Sequence, residues 1–353
     1  MSKLQLAIVF GGKSTEHEIS LLSTRSILRE IDKDKYDISL VRIAINGNWF
    51  LVDMVDAIES IPITLIPSKY GTSILATETG QIIKKIDVAF PILHGVFGED
   101  GTIQGYFRMM NVAFVGCDVM ASSACMDKDL TKRILRDAGI GIAPYMVATP
   151  EYKPDFAKVE KALGLPLFIK PANLGSSVGV FKVENESEYN EKLKEALTYD
   201  YKVLIEKAIV GKEIECAVLG NEKPKASLPG QVIMNSEFYD FESKYVNKDA
   251  SSTQVPAQLP DDQLEVIRSM SIKAYQAMGC EGLSRVDFFV TNDGEILINE
   301  INTIPGFTNI SMYPKMWEAT GISYPELIDI LIELGLERYK RDNQLKIVAQ
   351  EVK

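Results

Sequence analysis

Short unbroken apolar runs recur in this chain, several closing on a glycine turn and leading into a stretch with helical apolar spacing. Residues 4–10 (LQLAIVF) form the first run and predict a buried parallel strand. It ends in Gly11-Gly12, and KSTEHEIS leads into a helix with apolar positions at Leu21, Leu22, Ile27 and Leu28. YDISLVRIAI and NGNWFLV predict a second strand and a short hairpin. Residues 53–85 are polar and are expected to be surface connections. Residues 86–93 (IDVAFPIL) predict another buried strand, followed by a glycine loop and the helix TIQGYFRMM; VAFVG closes a first α/β unit near Gly116. A second unit opens with helical residues from Val119, continues through 126–135 and ends at the 139–144 segment. YMVAT, LPLFIKP and KVLIEKAI predict strands, FAKVEKALG a helix, and 260–278 and 324–341 amphipathic helices.

The densest signal is residues 282–302, GLSRVDFFVTNDGEILINEIN. Asp-Gly between two alternating runs predicts a hairpin. With Asp293-Gly294 as a two-residue turn, Asp287 lies opposite Glu300 and Arg285 opposite Asn302. Strand side chains alternate, so all four share one face. Like charges directly opposed need something to neutralise them. Two carboxylates and a side-chain carbonyl suit a hard divalent cation that keeps ligands for a phosphate. A solvated face on which Arg285 bridges the two acids fits the hairpin equally, and the hairpin alone leaves both open.

Composition narrows the class. A chain of 353 residues is too long for one typical core, so two or three domains are expected. Apolar content of 46% and charged content of 25% are those of a globular protein. A net charge of −11 argues against nucleic acid or an anionic membrane as main partner, though not against a small anion in a locally positive site. Cys117, Cys125, Cys216 and Cys280 are scattered without metal-like pairing, which predicts reduced core thiols in a cytoplasmic protein. No signal peptide or membrane span is expected, since no apolar run approaches the ~18 residues a span needs.

Several loops carry candidate chemistry. Strand, glycine turn and helix start is where α/β sheets hold ligands, and Glu16 lies there. The turn is not GxGxxG, and Glu16 also fits a plain helix-dipole partner. His94 opens HGVFGEDG, a loop whose glycines allow positive φ or close approach to a ligand. A structural and a catalytic role are both open for it. Lys170 ends LPLFIKP, and NLGSSVGV follows. The N–H groups and hydroxyls of that turn can cradle phosphate, with Lys170 as point charge, or the turn is a plain hairpin. Glu206-Lys207 inside an apolar strand can present groups to a nucleoside or be surface alternation. Residues 238–253 have no clean period, as lids often do not, and carry Lys244 and Tyr245. Residues 303–312 are a candidate substrate loop.

In order, FGGKSTEHEIS, HGVFGEDG, CMDKDLTK, FIKPANLGSSVGV, VLIEKAIVGKEIECAVLG, FYDFESKY, SRVDFFV and INEINTIPGFT resemble the ATP-grasp ligases, and within them the D-alanine–D-alanine ligases. The matching stretches span residues 9–312, and HGxxGEDG joined to NExNTxPGFT is the most specific part. SRVD carries serine where alanine is common, and EHE after GKS is one of several variants. The resemblance implies an α/β (α+β) fold of three domains: an N-terminal parallel α/β domain (1–117), then central (118–209) and C-terminal (210–353) domains whose antiparallel sheets sandwich ATP, with a lid at about 236–254. It implies ATP-dependent ligation of two D-alanines through a D-alanyl phosphate, for peptidoglycan precursors, by a cytoplasmic enzyme expected to be a homodimer.

The roles it implies follow the motifs. Asp287, Glu300 and Asn302 would hold Mg²⁺ or Mn²⁺, two ions in all. Lys128, Lys170 and Ser177 would meet the ATP phosphates, Glu206, Lys207 and Ile209 adenine, partly through backbone, and Glu213 the ribose. Glu16 would bind the first D-alanine's ammonium, in a hydrogen-bonded set with Ser176 and Tyr245, and His94 would lie near that substrate. Lys244 would meet the transferred phosphate. Arg285 and the Gly306 N–H would stabilise the tetrahedral intermediate, and Ser311 and the Met312 backbone would bind the second carboxylate. Related ligases take D-serine or D-lactate as second substrate. Lys244-Tyr245 sets the chain apart from the D-lactate type, while D-serine ligases can share that lid, and Met312, where no bulky cation stands, favours D-alanine. A catalytically dead nucleotide-binding protein would lack a metal ligand or a phosphate lysine, and all are present.

Overall fold

The computed structural model describes residues 3–68, 71–234 and 251–346. Among these residues the strands form three sheets, of eight, four and six strands. The first has a parallel centre: Leu4–Gly11 lies between Tyr36–Ile43 and Val88–Ile92, and Ala113–Phe114 follows the latter. Leu6 to Phe10 are buried on both faces, which is why that run has no alternation. Leu6, Ile8 and Phe10 pack with helices His17–Glu30 and Tyr324–Asp342 on one face. Ala7 and Val9 pack with helix Thr102–Met110 on the other.

Residues 53–85 depart from the expectation of surface connections. Ile61–Ser68, Gly71–Ala76 and Ile82–Ile86 continue the first sheet as antiparallel strands. Their signal is alternation, Ile63 and Leu65 inward and Thr64 and Ile66 only half-buried, which a mean polarity hides. The run 86–93 is also broken at Asp87, whose carboxylate accepts the Gln5 N–H at 3.0 Å, so Val88–Ile92 starts afresh.

The second sheet orders Phe181–Val183, Leu167–Pro171, Val203–Lys207 and Tyr145–Ala148, all antiparallel. Met146, Ala148, Leu167, Ile169, Val203 and Ile205 turn to a core under helices Phe156–Leu163 and Glu186–Ala196. The latter helix was not anticipated, because it is strongly charged. Its legible marks are Tyr189, Leu193 and Ala196 at helical spacing and Asn185, which caps the Glu188 N–H at 3.0 Å while Glu188 bonds back to Glu184 N. Alternation turns Tyr145, Phe168, Lys170, Leu204 and Glu206 to the other face.

The third sheet pairs Gly211–Gly220 with Gly282–Thr291 along ten positions, then Ile296–Asn302 beyond it. Ile214, Cys216, Val218, Val286, Phe288 and Ile301 form its core under helix Asp261–Ala277. Its opposite face carries Glu213, Glu215, Arg285, Asp287, Glu300 and Asn302.

The helix Tyr324–Asp342 is locked to the first sheet by Arg338, which is 4% exposed. Arg338 donates to the carbonyls of Phe114 (2.9 Å) and Gly116, and its guanidinium lies 4.3 Å over the Phe114 ring. Arg338→Met strips both buried carbonyls of their donor, so a loss of roughly 2 kcal/mol is expected. A thermal melt of the variant that matches the unsubstituted chain would show that this clamp does not hold the helix.

Candidate active site

The charged face of the third sheet is set by a bulge. The hairpin loop is three residues long, not two: Thr291 N–H donates to Glu295 O, Gly294 N–H to Thr291 O, and Gly294 has φ +88°. That shifts Phe288 opposite Ile298 and Phe289 opposite Leu297. The register then slips by one between Asp287 and Phe288, leaving Asn299 as the extra residue. Asp287 is thereby returned opposite Glu300, and Arg285 opposite Asn302. The two deviations cancel, and the predicted pairs stand.

Arg285 grips Asp287 with two hydrogen bonds of 2.7 Å, and its Nε is 3.2 Å from Glu215. Asn302 Nδ2 donates to Asp287 at 2.9 Å. Burial disfavours the Arg285 charge, but Asp287 and Glu215 outweigh it and hold the group ionised. Arg285 thus joins Asp287 to Glu215, whereas the bridging alternative had paired it with Asp287 and Glu300. Among the described residues no three of His, Cys, Asp and Glu form a metal-ligand group. The donors present are two carboxylates and an amide oxygen on one face, which suits a hard, oxygen-seeking cation and not a soft one.

The second sheet supplies the opposite wall. Lys170 Nζ is 3.2 Å from Asn299 Oδ1 and 2.5 Å from Glu206 Oε2. Lys128 begins helix Lys128–Asp137, with Asp127 as its cap. Its Nζ is 3.4 Å from Glu300 and donates to Leu174 O at 2.7 Å. The Glu206 carboxylate is buried between Lys170 and Lys132. Lys207 is exposed, and the half-buried Ile209 lies in the connection to Gly211–Gly220. Glu213 is half-buried, opposite Phe289.

The first sheet brings Glu16 to this cleft. Glu16 is buried at the N-cap of helix His17–Glu30, and Ser176 Oγ donates to its Oε1 at 2.5 Å. Ser176 and Ser177 both have positive φ, 53° and 59°, an uncommon state for residues with a side chain. A Cβ at Gly95 (φ +73°) would stand 2.7 Å from Glu16 Oε2, so only glycine lets the chain pass there. His94 is buried; Nδ1 is 3.1 Å from Ile304 O and Nε2 3.3 Å from Ser23 Oγ. Burial lowers its affinity for a proton, against the pull of Glu16. His94 thus ties the first sheet to the 303–307 loop as a neutral ring. Glu99 accepts the Gly95 N–H at 2.7 Å. Burial, with Glu16 adding to it, pushes its carboxyl up to about 8.

Beyond the hairpin, a Cβ at Gly306 would lie 2.9 Å from Ser311 Oγ, which accepts the Thr308 N–H at 3.0 Å. Ser311 precedes helix Met312–Ala319. The Met312 side chain is buried in the core against Gly230, so its identity says nothing about the second substrate. That corrects the weight placed on it above. Lys244 and Tyr245 fall outside the described residues. Glu215, Asn299 and Lys132 were missed. Glu215 is two positions from Glu213 on a strand whose pairing partner was not known, Asn299 is exposed to the cleft only by the bulge, and Lys132 looks like a helix-surface lysine one turn past Lys128.

Two antiparallel sheets facing across a cleft, beside an N-terminal sheet with a parallel centre, define an ATP-grasp fold. The D-ala D-ala ligase N-terminus model matches residues 5–117 and the C-terminus model residues 134–333. D-alanine–D-alanine ligase A of Salmonella typhimurium is 48% identical over 361 residues, covering 98% of this chain and 99% of that protein. The structure of the D-alanine–D-alanine ligase from Coxiella burnetii matches with TM-score 0.88 at 38% identity, covering 98% of this chain and 97% of that one. The VanG D-Ala:D-Ser ligase from Enterococcus faecalis matches with TM-score 0.84 at 34% identity, covering 95% and 100%. The chain belongs to the D-alanine–D-alanine ligase family.

The raised Glu99 carboxyl has a sign that can be checked. The folded chain keeps a proton that the unfolded chain releases near 4.5, so stability from the neutral form is full below pH 4.5 and is lost as pH rises through about 8. Glu99→Gln is permanently neutral. The melting temperature of the unsubstituted chain, minus that of the variant, is expected to fall between pH 4.5 and about 8. A flat difference across that window would place the Glu99 carboxyl in a solvated setting.

Proposed function

We propose that the chain joins two D-alanine molecules at the expense of ATP, giving D-alanyl-D-alanine for peptidoglycan precursors. One observation carries this: two lysines, one from helix Lys128–Asp137 and one from the second sheet, meet oxygen groups of the third sheet, Lys128 3.4 Å from Glu300 and Lys170 3.2 Å from Asn299. Such a cleft suits a polyphosphate with its counter-ions. Asp287, Glu300 and Asn302 would hold Mg²⁺ or Mn²⁺, which when bound neutralises phosphate charge and polarises the γ-phosphoryl group. Lys128, Lys170 and Ser177 would bind the phosphates. Glu206, Lys207 and Ile209 would receive adenine, and Glu213 the ribose. For Glu206 the side chain reaches the base while staying between its two lysines.

Glu16 would take the ammonium of the first D-alanine, anchored by Ser176 and, from the lid, Tyr245, with His94 nearby. A carboxylate oxygen of that substrate attacks the γ-phosphorus, the bond to the β-phosphate oxygen breaks, and ADP leaves. Lys244 would contact the phosphoryl group in transfer. The amine of the second D-alanine, its carboxylate held by Ser311 and the Met312 N–H, then attacks the acyl carbon. Arg285 and the Gly306 N–H would stabilise the resulting oxyanion, which collapses with loss of phosphate. For this Arg285 must turn part of its charge from Asp287 to the substrate. The division at 1–117, 118–209 and 210–353, a cytoplasmic location and a homodimer belong to the same reading.

The likeness to a D-Ala:D-Ser ligase favours one second reading, a D-serine acceptor. With the purified chain, ATP, Mg²⁺ and D-alanine, phosphate release together with dipeptide is expected. ATP consumption without dipeptide would sink the proposal, and mixed D-alanine and D-serine would report the acceptor through the product formed. Arg285→Met is expected to retain ATP binding and lose kcat by about 10²–10³. Turnover near that of the unsubstituted chain would remove Arg285 from the transition state.

A further inference from the structure

Lys132 stands one turn beyond Lys128 on helix Lys128–Asp137 and is 1% exposed. Lysine is almost never so buried without a partner. Its Nζ is 2.8 Å from Glu206 Oε1 and 5.7 Å from the centre of the Tyr145 ring. The other Glu206 oxygen, Oε2, is 2.5 Å from Lys170. One buried carboxylate is thus held from two sides, each oxygen by a different ammonium. The Lys132 contact is an ion pair without hydrogen-bond alignment, and Oε1 has no hydrogen-bond donor among the described residues.

A buried ion pair is weak evidence of stability, since apolar residues of like volume often do as well. Something else must justify burying a carboxylate between two lysines. Glu206 lies on the cleft face of its strand, and Lys132, fully buried, has no exposed surface of its own to offer a ligand. We infer that Lys132 is a positioning residue for base selection: through Glu206 it presents a carboxylate acceptor to the base, favouring a purine with an amine at its six-position over one with a carbonyl there. This rests on the reading that Glu206 meets adenine.

The chemistry is one of donors and acceptors. An ionised carboxylate only accepts. A six-amino group donates to it, whereas a six-oxo group sets an acceptor against an anion in a dry site, which is strongly disfavoured. A protonated Glu206 would donate, and the carbonyl would then be tolerated. Burial presses Glu206 toward that neutral form, and Lys132 and then Lys170 hold it ionised, below the ordinary carboxylate range. Removing Lys132 takes away one of the two restraints on both charge and orientation.

The test compares ATP with inosine triphosphate, which differs at the six-position. The readouts are kcat/KM with saturating D-alanine and, separately, calorimetric binding of each nucleotide. The unsubstituted chain is expected to prefer ATP by about 100-fold or more. Lys132→Met is expected to cut that ratio at least tenfold, through KM for nucleotide, with KM for D-alanine unchanged. Lys132→Gln, one atom shorter and polar but without the charge, should do the same and decides the matter if the methionine variant does not fold. An unchanged ratio in a folded variant overturns the inference, as does equal binding of both nucleotides by the unsubstituted chain. Absence of dipeptide would overturn the proposed reaction alone, because the binding ratio is read without turnover.

Discussion

Polar and charged groups brought together across the cleft are the constraint on which the rest of this structure depends. Lys128 from its helix and Lys170 from the second sheet meet Glu300 and Asn299 of the third sheet at 3.4 and 3.2 Å. Each sheet can afford a charged face only because its reverse is a full apolar core, under Phe156–Leu163 and Glu186–Ala196 in one case and Asp261–Ala277 in the other. Partly buried charges are costly when left alone and tolerable when paired. Two such faces therefore favour a closed arrangement, or one with an ionic ligand between them.

The first sheet enters this arrangement through contacts far apart in sequence. Ser176 reaches Glu16, and His94 joins Ser23 to Ile304 while Ser23 Oγ accepts the Phe307 N–H. A buried neutral histidine with both ring nitrogens engaged is a fixed strut, and that is the bland role the sequence left open for it. Glu16 differs. It is clasped by a serine held at positive φ, a conformation uncommon for a residue with a side chain. The strut fixes the 303–307 loop; the clasp joins the Ser176 turn to the first helix.

Where a side chain's partner is set by local periodicity, the sequence was readable. The buried parallel strands, the hairpin face and the helix at 260–278 followed from spacing alone. The hairpin also shows how such reading can succeed for incomplete reasons. A three-residue loop and a bulge at Asn299 each shift the register, in opposite senses, and Asp287 still meets Glu300. The bulged Asn299 accepts from Lys170 of the second sheet, a contact that no two-strand rule contains. Glu215 needed the knowledge that Gly211–Gly220 pairs with Gly282–Thr291, a partner about seventy residues away in sequence. The strands within 61–86 were lost because in Ile61–Ser68 only every second residue is buried, Gly71–Ala76 buries Thr72 and Ser73, and the edge strand Ile82–Ile86 is mostly exposed.

Lys132 marks the boundary of what local spacing can reveal. On a helix, a lysine four residues after another lysine looks like solvent-facing charge, and the like-charge neighbour even argues for separation into water. Here the two lysines diverge to different strands, Lys128 toward Glu300 and Lys132 toward Glu206. One helix turn thereby addresses both walls of the cleft at once. Lys128 is partly reachable from the cleft and Lys132 is not, so the first can act on a ligand directly and the second only through the carboxylate it holds. On the proposed reading, a helix that carries both would link the placing of the phosphates to the reading of the base.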